Sequence, residues 1–259
     1  DQEVKSACGS DLMSDVLAFV KDKTVLITGL TNIHVMRTAE MLDIHCVVFA
    51  RGKVPSEEIL EEARDLGIVV LAPVTQLLPP DTWTAGFLHI LLFLRADVHG
   101  RDPRYQRAHR RSCVKGRVRM SLLTNTYDVH KGEFETAGDA SASIKRKLKQ
   151  LGVDSAILRR VAVASYEAEL NLIIHSLGGQ LTMEMNPEHI VLISRDVGPG
   201  IADIDKAMQE GFSTASEEAR DLGFGAGMGL PNMRRNADGF SIESQPGVGT
   251  TIQMEFRLK

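Results

Sequence analysis

Cysteine and long apolar runs are both scarce in this sequence of 259 residues. Its three cysteines, Cys8, Cys46 and Cys113, are widely separated and form no CxxC pair. This spacing argues against a disulfide framework or a zinc site and favours reduced thiols in a cytoplasmic protein. The longest apolar run, residues 87–94, has eight residues and is too short to span a bilayer. The polar start DQEVKSACGSD predicts no secretory signal. We therefore expect a cytoplasmic protein with no membrane partner.

The chain also has no excess of positive charge: its formal net charge is −4 at pH 7. A negative balance argues against a surface that binds nucleic acid in general. Hydrophobic residues make up 43% of the chain and charged residues 25%, as in soluble globular proteins. A chain of this length has room for one large domain or for two ordinary ones.

The first third of the chain alternates short apolar runs with segments of helical spacing. The apolar runs span residues 25–28, 45–50 and 68–71. The helical segments span residues 11–20, 33–42 and 56–66, with Ser56 as an expected N-cap. Strands that alternate with helices through short links predict a parallel βαβαβ unit, against which the first helix is expected to pack.

The turn at residues 29–32 links a predicted strand to a predicted helix, so its amides form either an anion site or an ordinary βα turn. The segments GSDLMSDVLAF, VLITGLTN and RTAEMLDI, followed by the RGK-x-P break at residues 51–55, resemble the small DRTGG-type regulatory domains over about residues 4–72. Such domains accompany a partner domain as regulatory or sensory modules. The resemblance therefore implies a DRTGG-like regulatory domain at residues 1–72.

Residues 73–120 differ in composition from both flanks. Two adjacent prolines, the only tryptophan and the apolar run come in quick succession, and residues 95–119 carry nine lysines or arginines against two aspartates. A basic tract of this kind is more often a solvated linker than a surface that contacts the phosphates of nucleic acid. A third hypothesis is that this irregular segment arises from a fusion or a frame slip between two reading frames.

Residues 121–259 have the pattern of a second domain. The expected strands span residues 121–130, 180–185, 189–195, 240–244 and 251–256. The expected helices span residues 139–151 and 154–177, and a shorter helix begins at Pro231 and ends near Gly239. The long helix is expected to end in a left-handed cap at Gly178 and Gly179.

Three polar residues in the long helix, Glu167, Asn171 and His175, are spaced four apart and therefore lie on one stripe. An amide oxygen is able to ligate Mg²⁺, and a carboxylate one turn away is able to orient or deprotonate a nucleophile. The alternative is that Glu167 and Asn171 are surface residues of an amphipathic helix. For His175, packing within the helix is the favoured interpretation.

Two glycine-containing segments follow this helix. Asp196 stands at the end of a predicted strand, where it is able to accept a hydrogen bond from a base amine, and Gly198 and Gly200 allow backbone to approach a flat ring. Residues 223–229 then read GFGAGMG, and alternating glycines form a flexible backbone nest for phosphates at the amino end of the next helix.

The four segments ExxxN, DxGxG, GxGxGxG and GTT occur in this order between Glu167 and Thr251 and resemble the four boxes of the Bergerat-fold ATPases. The resemblance covers about residues 121–259. Within that superfamily the chain is most similar to the anti-sigma-factor serine/threonine kinases, whose N box reads E-A-x-x-N followed by I-I-H. The implied fold is an α/β sandwich that follows the parallel βαβαβ unit, giving a chain of mixed α/β and α+β class.

This resemblance implies ATP and Mg²⁺ as cofactors and a role for each box. Glu167 would be the general base for a protein serine or threonine, and Asn171 would ligate the metal. Asp196 would bind the adenine amine. The remaining nucleotide contacts would come from Gly198, Gly200, Gly225, Gly227, Gly229, Thr250 and Thr251. Residues 202–222 would form a mobile lid, in which Arg220 is either a ligand of the γ-phosphate or a solvated residue.

The predicted function is that of a cytoplasmic ATP-binding regulator that phosphorylates a protein partner or sequesters it. The resemblance implies a partner of the sigma-factor or anti-sigma-antagonist type, and it implies a homodimer. The alternatives are a non-catalytic ATP-binding sensor and the catalytic domain of a histidine kinase. No phosphoacceptor helix pair is recognisable before residue 121, which argues against the histidine kinase. Nucleic acid, through residues 95–119, is the least favoured partner.

Overall fold

The computed structural model of the protein describes residues 4–20, 24–72 and 123–258, which contain two β-sheets. The predicted linker at residues 73–120, with its basic tract, lies outside the described residues. No helix in the described ranges is both long and apolar enough to cross a membrane.

The N-terminal sheet is parallel throughout, with strand order β1-β2-β3-β4. Its strands are β1 (Ser6–Gly9), β2 (Thr24–Thr28), β3 (Cys46–Phe49) and β4 (Val69–Leu71). Its helices are α1 (Met13–Phe19), α2 (His34–Met41) and α3 (Glu57–Leu66). The predicted parallel sheet is confirmed, and α1 packs against α2 as expected. Strand β1 was not predicted, because SACG has no apolar run and alternates between half-buried and exposed residues.

The C-terminal sheet is antiparallel, with strand order β5-β6-β7-β9-β8. Its strands are β5 (Leu123–Val129), β6 (Gly179–Met185), β7 (His189–Asp196), β8 (Gly239–Gln245) and β9 (Gly249–Arg257). The helices of this half are α4 (Asp139–Gln150), α5 (Ser155–His175), α6 (Ile204–Ala207), α7 (Glu217–Asp221) and α8 (Gly229–Asn236). The predicted combination of an antiparallel sheet with helices is therefore present.

Helix α5 is the central element of the C-terminal half. It begins at Asp154, whose carboxylate accepts a hydrogen bond from the amide of Ala156 at 3.0 Å. Of its 21 residues 14 are buried, since it packs against the antiparallel sheet, α4, α8 and α2. A helix with so many neighbours holds its polar side chains in fixed directions.

The predicted end of α5 was wrong by two residues. The helix stops at His175, and Ser176 takes an extended conformation instead of leading to a left-handed glycine cap. The Ser176 hydroxyl donates to the carbonyl of Leu172 at 2.6 Å and accepts from the amide of Gly178 at 2.8 Å. The serine side chain thus satisfies helix-end groups, and Leu177 is left exposed outside the helix.

The N-terminal sheet unit and the C-terminal half are packed together as one compact body with a continuous hydrophobic core. The amide of Met13 donates to the carbonyl of Gly223 at 3.0 Å, and the Asn32 side chain donates to the carbonyl of Leu222 at 3.1 Å. On another side of the contact, Arg37 forms an ion pair with Asp139 at 2.9 Å. The domain boundaries at residues 72 and 121 stay predictions, because the two halves share their core.

Lys145 of α4 is the most deeply buried cation in this contact between the halves. Its ammonium donates to the carbonyls of Glu40 at 2.6 Å and Met41 at 3.2 Å, and to the carboxylate of Asp43 at 2.8 Å. Burial lowers the pKa of Lys145, while the bond to Asp43 opposes that shift. Three acceptors thus satisfy its three N–H donors. The cation caps the carboxyl end of α2, where positive charge is favourable.

We expect Lys145→Met to lower the free energy of unfolding by about 2 kcal/mol, because it removes a charged partner from part-buried helix-end carbonyls while it keeps the apolar stem. Urea denaturation of the full chain measures the change. Lys149→Met, on the exposed face of the same helix, is the matched control and is expected to stay within about 0.5 kcal/mol of the wild type. Equal stabilities of the two variants would contradict this assignment.

Candidate functional site

Glu167 and Asn171 lie one turn apart on α5, and both side chains reach Gly229 at the start of α8. A Cβ atom placed on Gly229 would lie 3.1 Å from Asn171 Oδ1 and 3.4 Å from Glu167 Oε2. A side chain at this position would crowd both polar groups, so glycine keeps the space between them open. Within the described part of the chain the Asn171 side chain makes no hydrogen bond, which leaves its amide oxygen for a ligand.

The carboxylate of Glu167 is buried, with the residue only 2% exposed. Its Oε1 accepts a hydrogen bond from Asn232 Nδ2 at 2.7 Å. Burial raises the pKa of Glu167 to about 7; the bond from Asn232 opposes this rise, and the nearby charge of Asp15 adds to it. A carboxyl group that titrates near neutral pH is suited to accept a proton from a substrate hydroxyl.

The glycine segment, residues 223–229, lies against Glu167 and Asn171. At two of its positions, Gly225 and Gly227, the structure leaves no room for a side chain. Gly225 and Gly227 have φ angles of 81° and 74°, a region that L side chains rarely adopt. A Cβ atom on Gly225 would lie 2.5 Å from Ala215 Cβ, and one on Gly227 would collide with the backbone of Gly211 and Phe212. The amide of Gly211 also donates to the carbonyl of Gly227 at 3.1 Å. The predicted lid therefore packs directly onto the glycine segment.

A pocket of about 30 Å³ lies between α5 and the glycine segment. Its lining includes Ser14, Glu167, Asn171, Gly225, Gly227 and Gly229. This volume holds only a few water molecules, whereas pockets for small-molecule ligands measure roughly 300–1,000 Å³.

The second group of predicted site residues surrounds Asp196 at the end of β7. Asp196 Oδ1 accepts a hydrogen bond from the amide of Thr250 at 3.1 Å. Burial raises the pKa of Asp196, and the bonds from Thr250 oppose the shift. A Cβ atom on Gly198 would lie 3.3 Å from Asp196 Oδ1, and one on Gly200 would collide with the carbonyl of Gln245.

The two threonines of the GTT segment occupy different positions. The hydroxyl of Thr250 lies 2.9 Å from that of Ser244, and Thr250 is 7% exposed. Thr251 pairs with Arg195 of β7, and its side chain forms no hydrogen bond with another described residue. Thr250 is thus the threonine that contacts Asp196.

The structure brings the predicted residues together as two groups. Glu167, Asn171 and the glycines 225, 227 and 229 line one pocket, while Asp196, Gly198, Gly200, Thr250 and Thr251 do not line it. The end of α5 lies beside the second group, because a Cβ atom on Gly198 would be 3.2 Å from Ser176 Cα. Helix α5 therefore carries Glu167 and Asn171 of the first group and ends beside the second group.

The predicted turn at residues 29–32 already has an anionic partner within the chain. Asp11 Oδ1 accepts from the amide of Gly29 at 2.6 Å and from the Thr28 hydroxyl at 3.1 Å. The bond from Gly29 is the main reason that the pKa of Asp11 is lowered. The turn thus holds a carboxylate of its own N-terminal unit, while Asn32 binds the carbonyl of Leu222.

His175 and Arg220 have different relations to the lid. His175 Nδ1 lies 3.2 Å from the Thr214 hydroxyl, and burial lowers the pKa of His175. Arg220 is exposed, and its Cγ would lie 3.5 Å from a Cβ atom on Gly225. His175 is therefore a contact between helix and lid, and Arg220 stands beside the glycine segment.

Two residues of the site have no signal in the sequence. Ser14 lines the pocket although it belongs to α1 of the N-terminal unit. Asn232 of α8 is fully buried and donates from one nitrogen both to Glu167 and to the carbonyl of Ser14, the latter at 3.2 Å. Neither residue belongs to a recognisable motif, so only the packing of distant segments reveals them.

His34 of the N-terminal unit contacts a residue that lines the pocket. Its ring packs edge-on against Phe224, which lines the pocket, with ring centroids 4.8 Å apart. His34 is 3% exposed, and its Nδ1 has no hydrogen-bond partner among the described residues. Burial, together with the charge of Arg37, lowers the pKa of His34 to about 4.

Comparison with known proteins relates the C-terminal half to a family of ATPases. The family model described as histidine kinase-, DNA gyrase B-, and HSP90-like ATPase matches residues 156–259. Serine/threonine-protein kinase RsbT of Bacillus subtilis (strain 168) is 36% identical over 109 residues, covering 40% of this chain and 76% of that protein.

Two anti-sigma F factors are also similar to part of the chain. That of Thermoanaerobacter sp. (strain X514) is 38% identical over 99 residues, covering 36% of this chain and 66% of the relative. That of Bacillus licheniformis is 34% identical over 128 residues, covering 46% of this chain and 82% of the relative. The chain thus spans slightly less than two thirds of the Thermoanaerobacter protein. Ser14 and His34 lie outside the region matched by the family model.

We expect the buried His34 to make the folded chain less stable as the pH falls. The unfolded chain binds a proton at this residue near pH 6.5, whereas the folded chain does so only near pH 4. The unfolded state therefore holds more protons between these values, and stability is lost as the pH decreases from 6.5 toward 4. At 1.36 kcal/mol per pKa unit the loss at pH 5 is about 2 kcal/mol.

Urea denaturation of the wild type and of His34→Gln at pH 5 and pH 7 measures this contribution. The variant is expected to lack it, so its stability should change less between the two pH values. Above pH 7 the two stability curves should run parallel, which provides an internal control. The same loss between pH 7 and pH 5 in both proteins would show that His34 is not the group responsible.

Proposed function

We propose that this chain, which belongs to the histidine kinase-, DNA gyrase B-, and HSP90-like ATPase family, binds ATP with Mg²⁺ and regulates a protein partner by phosphorylating or sequestering it. One observation carries the proposal. A buried carboxyl group that titrates near neutral pH and an unpaired amide lie one helical turn apart, facing a glycine segment in one pocket.

The residues of the pocket suit the phosphates and metal of the nucleotide. Asn171 would hold Mg²⁺ through its amide oxygen, because hard cations prefer oxygen ligands. Gly225, Gly227 and Gly229 would cradle phosphates, since any Cβ atom there would fill the space or strain the backbone. When bound, ATP with its metal supplies the phosphoryl group and neutralises its charge, which is the main requirement of such transfers.

The group around Asp196 would hold the adenine. Its carboxylate is fixed by the amide of Thr250 and would accept a hydrogen bond from the exocyclic amine. Gly198 and Gly200 would lie against the ring, and Thr250 or Thr251 would complete the contact. These roles rest on the match of the DxGxG and GTT segments with the family pattern and on the clustering of these residues near the end of α5.

Binding of ATP requires movement of residues 202–222. In the described arrangement this segment covers Gly225 and Gly227 and leaves a pocket of only about 30 Å³. Because the segment has only short helices and few buried side chains, the free energy needed to displace it is small. We therefore assign it the role of a lid that opens for the nucleotide and closes on it.

The names of the relatives suggest the class of partner. They are a serine/threonine-protein kinase and anti-sigma factors, so we infer a protein partner of the sigma-factor or anti-sigma-antagonist type. The N-terminal unit, with its DRTGG-like segments, would carry the regulatory signal. A homodimer stays a prediction.

A non-catalytic ATP sensor is the second candidate, and one observation favours it. Helix α1 of the N-terminal unit is fastened to the glycine segment, because the amide of Met13 donates to the carbonyl of Gly223. A change in the glycine segment on nucleotide binding would therefore reach the N-terminal unit without any transfer of phosphate. Incubation with labelled ATP and candidate anti-sigma antagonist proteins separates the two functions.

Asn171→Ala is expected to abolish Mg²⁺-dependent nucleotide binding, because it removes the amide oxygen that would ligate the metal. Isothermal titration calorimetry with a non-hydrolysable ATP analogue, with and without Mg²⁺, measures the effect. Gln150→Ala, exposed at the end of α4, is the control and should bind as the wild type does. Unchanged affinity in Asn171→Ala would remove Asn171 from the metal site.

Glu167→Gln is expected to leave nucleotide binding intact and to reduce transfer of labelled phosphate to a protein acceptor by at least ~10²-fold. The amide keeps an acceptor for Asn232 but no longer takes up a proton. Calorimetry and the transfer assay on the same preparation separate binding from chemistry. A variant with full transfer activity would exclude Glu167 as the base.

A further inference from the structure

Helix α1 brings a serine hydroxyl into the pocket that holds the proposed base. Ser14 is the second residue of α1 and is 5% exposed. It lines the same pocket as Glu167, Asn171 and the glycine segment, although it is separated from them by more than half of the chain. Ser14 lies outside the region matched by the family model, which begins at residue 156.

The position of Ser14 is fixed from two directions. The amide of the preceding residue, Met13, donates to the carbonyl of Gly223, the first glycine of the segment, at 3.0 Å. The carbonyl of Ser14 accepts from Asn232 Nδ2 at 3.2 Å, and the same nitrogen donates to Glu167 Oε1 at 2.7 Å. The backbone of Ser14 and the carboxylate of Glu167 are therefore neighbours that share one hydrogen-bond donor.

The hydroxyl of Ser14 has no competing partner. Across the described ranges it makes no hydrogen bond, whereas Ser10, four residues earlier, has its hydroxyl bonded to the amide and carbonyl of Leu12. Ser14 lines the same pocket as the carboxyl group of Glu167 without a hydrogen bond between the two side chains, and a free hydroxyl near a proposed general base is a candidate to attack a phosphoryl group.

We propose that Ser14 is a phosphoacceptor in cis, modified by the ATP site of its own chain. This inference rests on the proposed function. The Ser14 oxygen attacks the γ-phosphorus of ATP, forming a new O–P bond. The bond between that phosphorus and the β–γ bridging oxygen breaks, and ADP leaves with the electron pair. Glu167 accepts the proton of the hydroxyl group.

Phosphorylation of Ser14 has a structural consequence for the N-terminal unit. A phosphoserine carries a charge of about −1.5 to −2 at pH 7. At this position it stands near the carboxylates of Glu167 and of the adjacent residue Asp15. Repulsion between like charges in a buried site disfavours the docked position of α1. The modification would thus release α1 from the pocket and report ATP turnover to the N-terminal unit.

The first test incubates the full chain with ATP and Mg²⁺ and maps the phosphate by tandem mass spectrometry. We expect one phosphoryl group on Ser14, its loss in Ser14→Ala, its retention in Ser14→Thr and wild-type labelling in Ser10→Ala. The fraction labelled per unit time should not depend on protein concentration, because the reaction is intramolecular. A phosphate on another residue, or a rate proportional to concentration, would overturn the inference.

Calorimetry with the ATP analogue on the same proteins distinguishes a failure of the Ser14 assignment from a failure of the proposed nucleotide binding. Nucleotide binding without phosphate on Ser14 overturns only the cis acceptor. Absence of nucleotide binding overturns the proposed function and this inference together. Ser10→Ala, whose side chain lies outside the pocket, is expected to bind the analogue as the wild type does.

The second test needs no nucleotide. Ser14→Asp places a carboxylate beside Glu167 in the free protein, and hydrogen exchange of residues 13–19 should become roughly tenfold faster, which corresponds to about 1.4 kcal/mol. Ser10→Asp, in the exposed turn before α1, is the matched control and should exchange as the wild type does. Equal exchange in the two variants would contradict the placement of Ser14 against the carboxyl group and overturn the inference.

Discussion

The arrangement of the site depends on one buried carboxamide. Asn232 Nδ2 donates to the carboxylate of Glu167 and to the carbonyl of Ser14, so three segments that are distant in sequence meet at one nitrogen. Its Oδ1 accepts from Arg235 at 3.2 Å, which leaves the buried amide well satisfied. Because an unpaired buried donor is costly, the direction of the Glu167 carboxylate and the position of α1 are coupled.

The same coupling extends to the lid. The carbonyl of Leu222, the last lid residue, accepts from the Asn32 side chain, and the carbonyl of Gly223, the next residue, accepts from the amide of Met13. A lid that moves to admit a nucleotide therefore acts on bonds that hold the two halves of the body together. If the proposed lid moves on nucleotide binding, a ligand of the N-terminal unit that strengthens or breaks these bonds would change nucleotide affinity, and linkage requires the reverse effect to be equal. The contact between the halves is thus a physical route for regulation in either direction.

The sequence was sufficient for features that depend on local patterns. Periodicity placed Glu167 and Asn171 on one stripe of a long helix, and short apolar runs located the parallel strands. It was insufficient where a contact joins distant segments: the bond from Asn232 to Ser14 spans 218 positions, and that from Asn232 to Glu167 spans 65. Strand β1 and the early end of α5 were missed for a related reason, since partner strands and a serine side chain override weak local signals.

Glu167 and Glu169, the two glutamates of the sequence EAE, are both buried but differ in the hydrogen bonds that their carboxylates accept. Glu169 is buried as Glu167 is, but it accepts from the amides of Gly138, Ala140 and Ser141 and from the Ser141 hydroxyl. Burial raises its pKa, and these bonds oppose the rise. A carboxylate whose lone pairs are all engaged at the start of α4 holds that helix in place and has no free lone pair for a substrate hydroxyl. Glu167, with Asn232 as its single donor, keeps lone pairs for a proton. The number of donors, more than burial, therefore separates the proposed base from the structural residue.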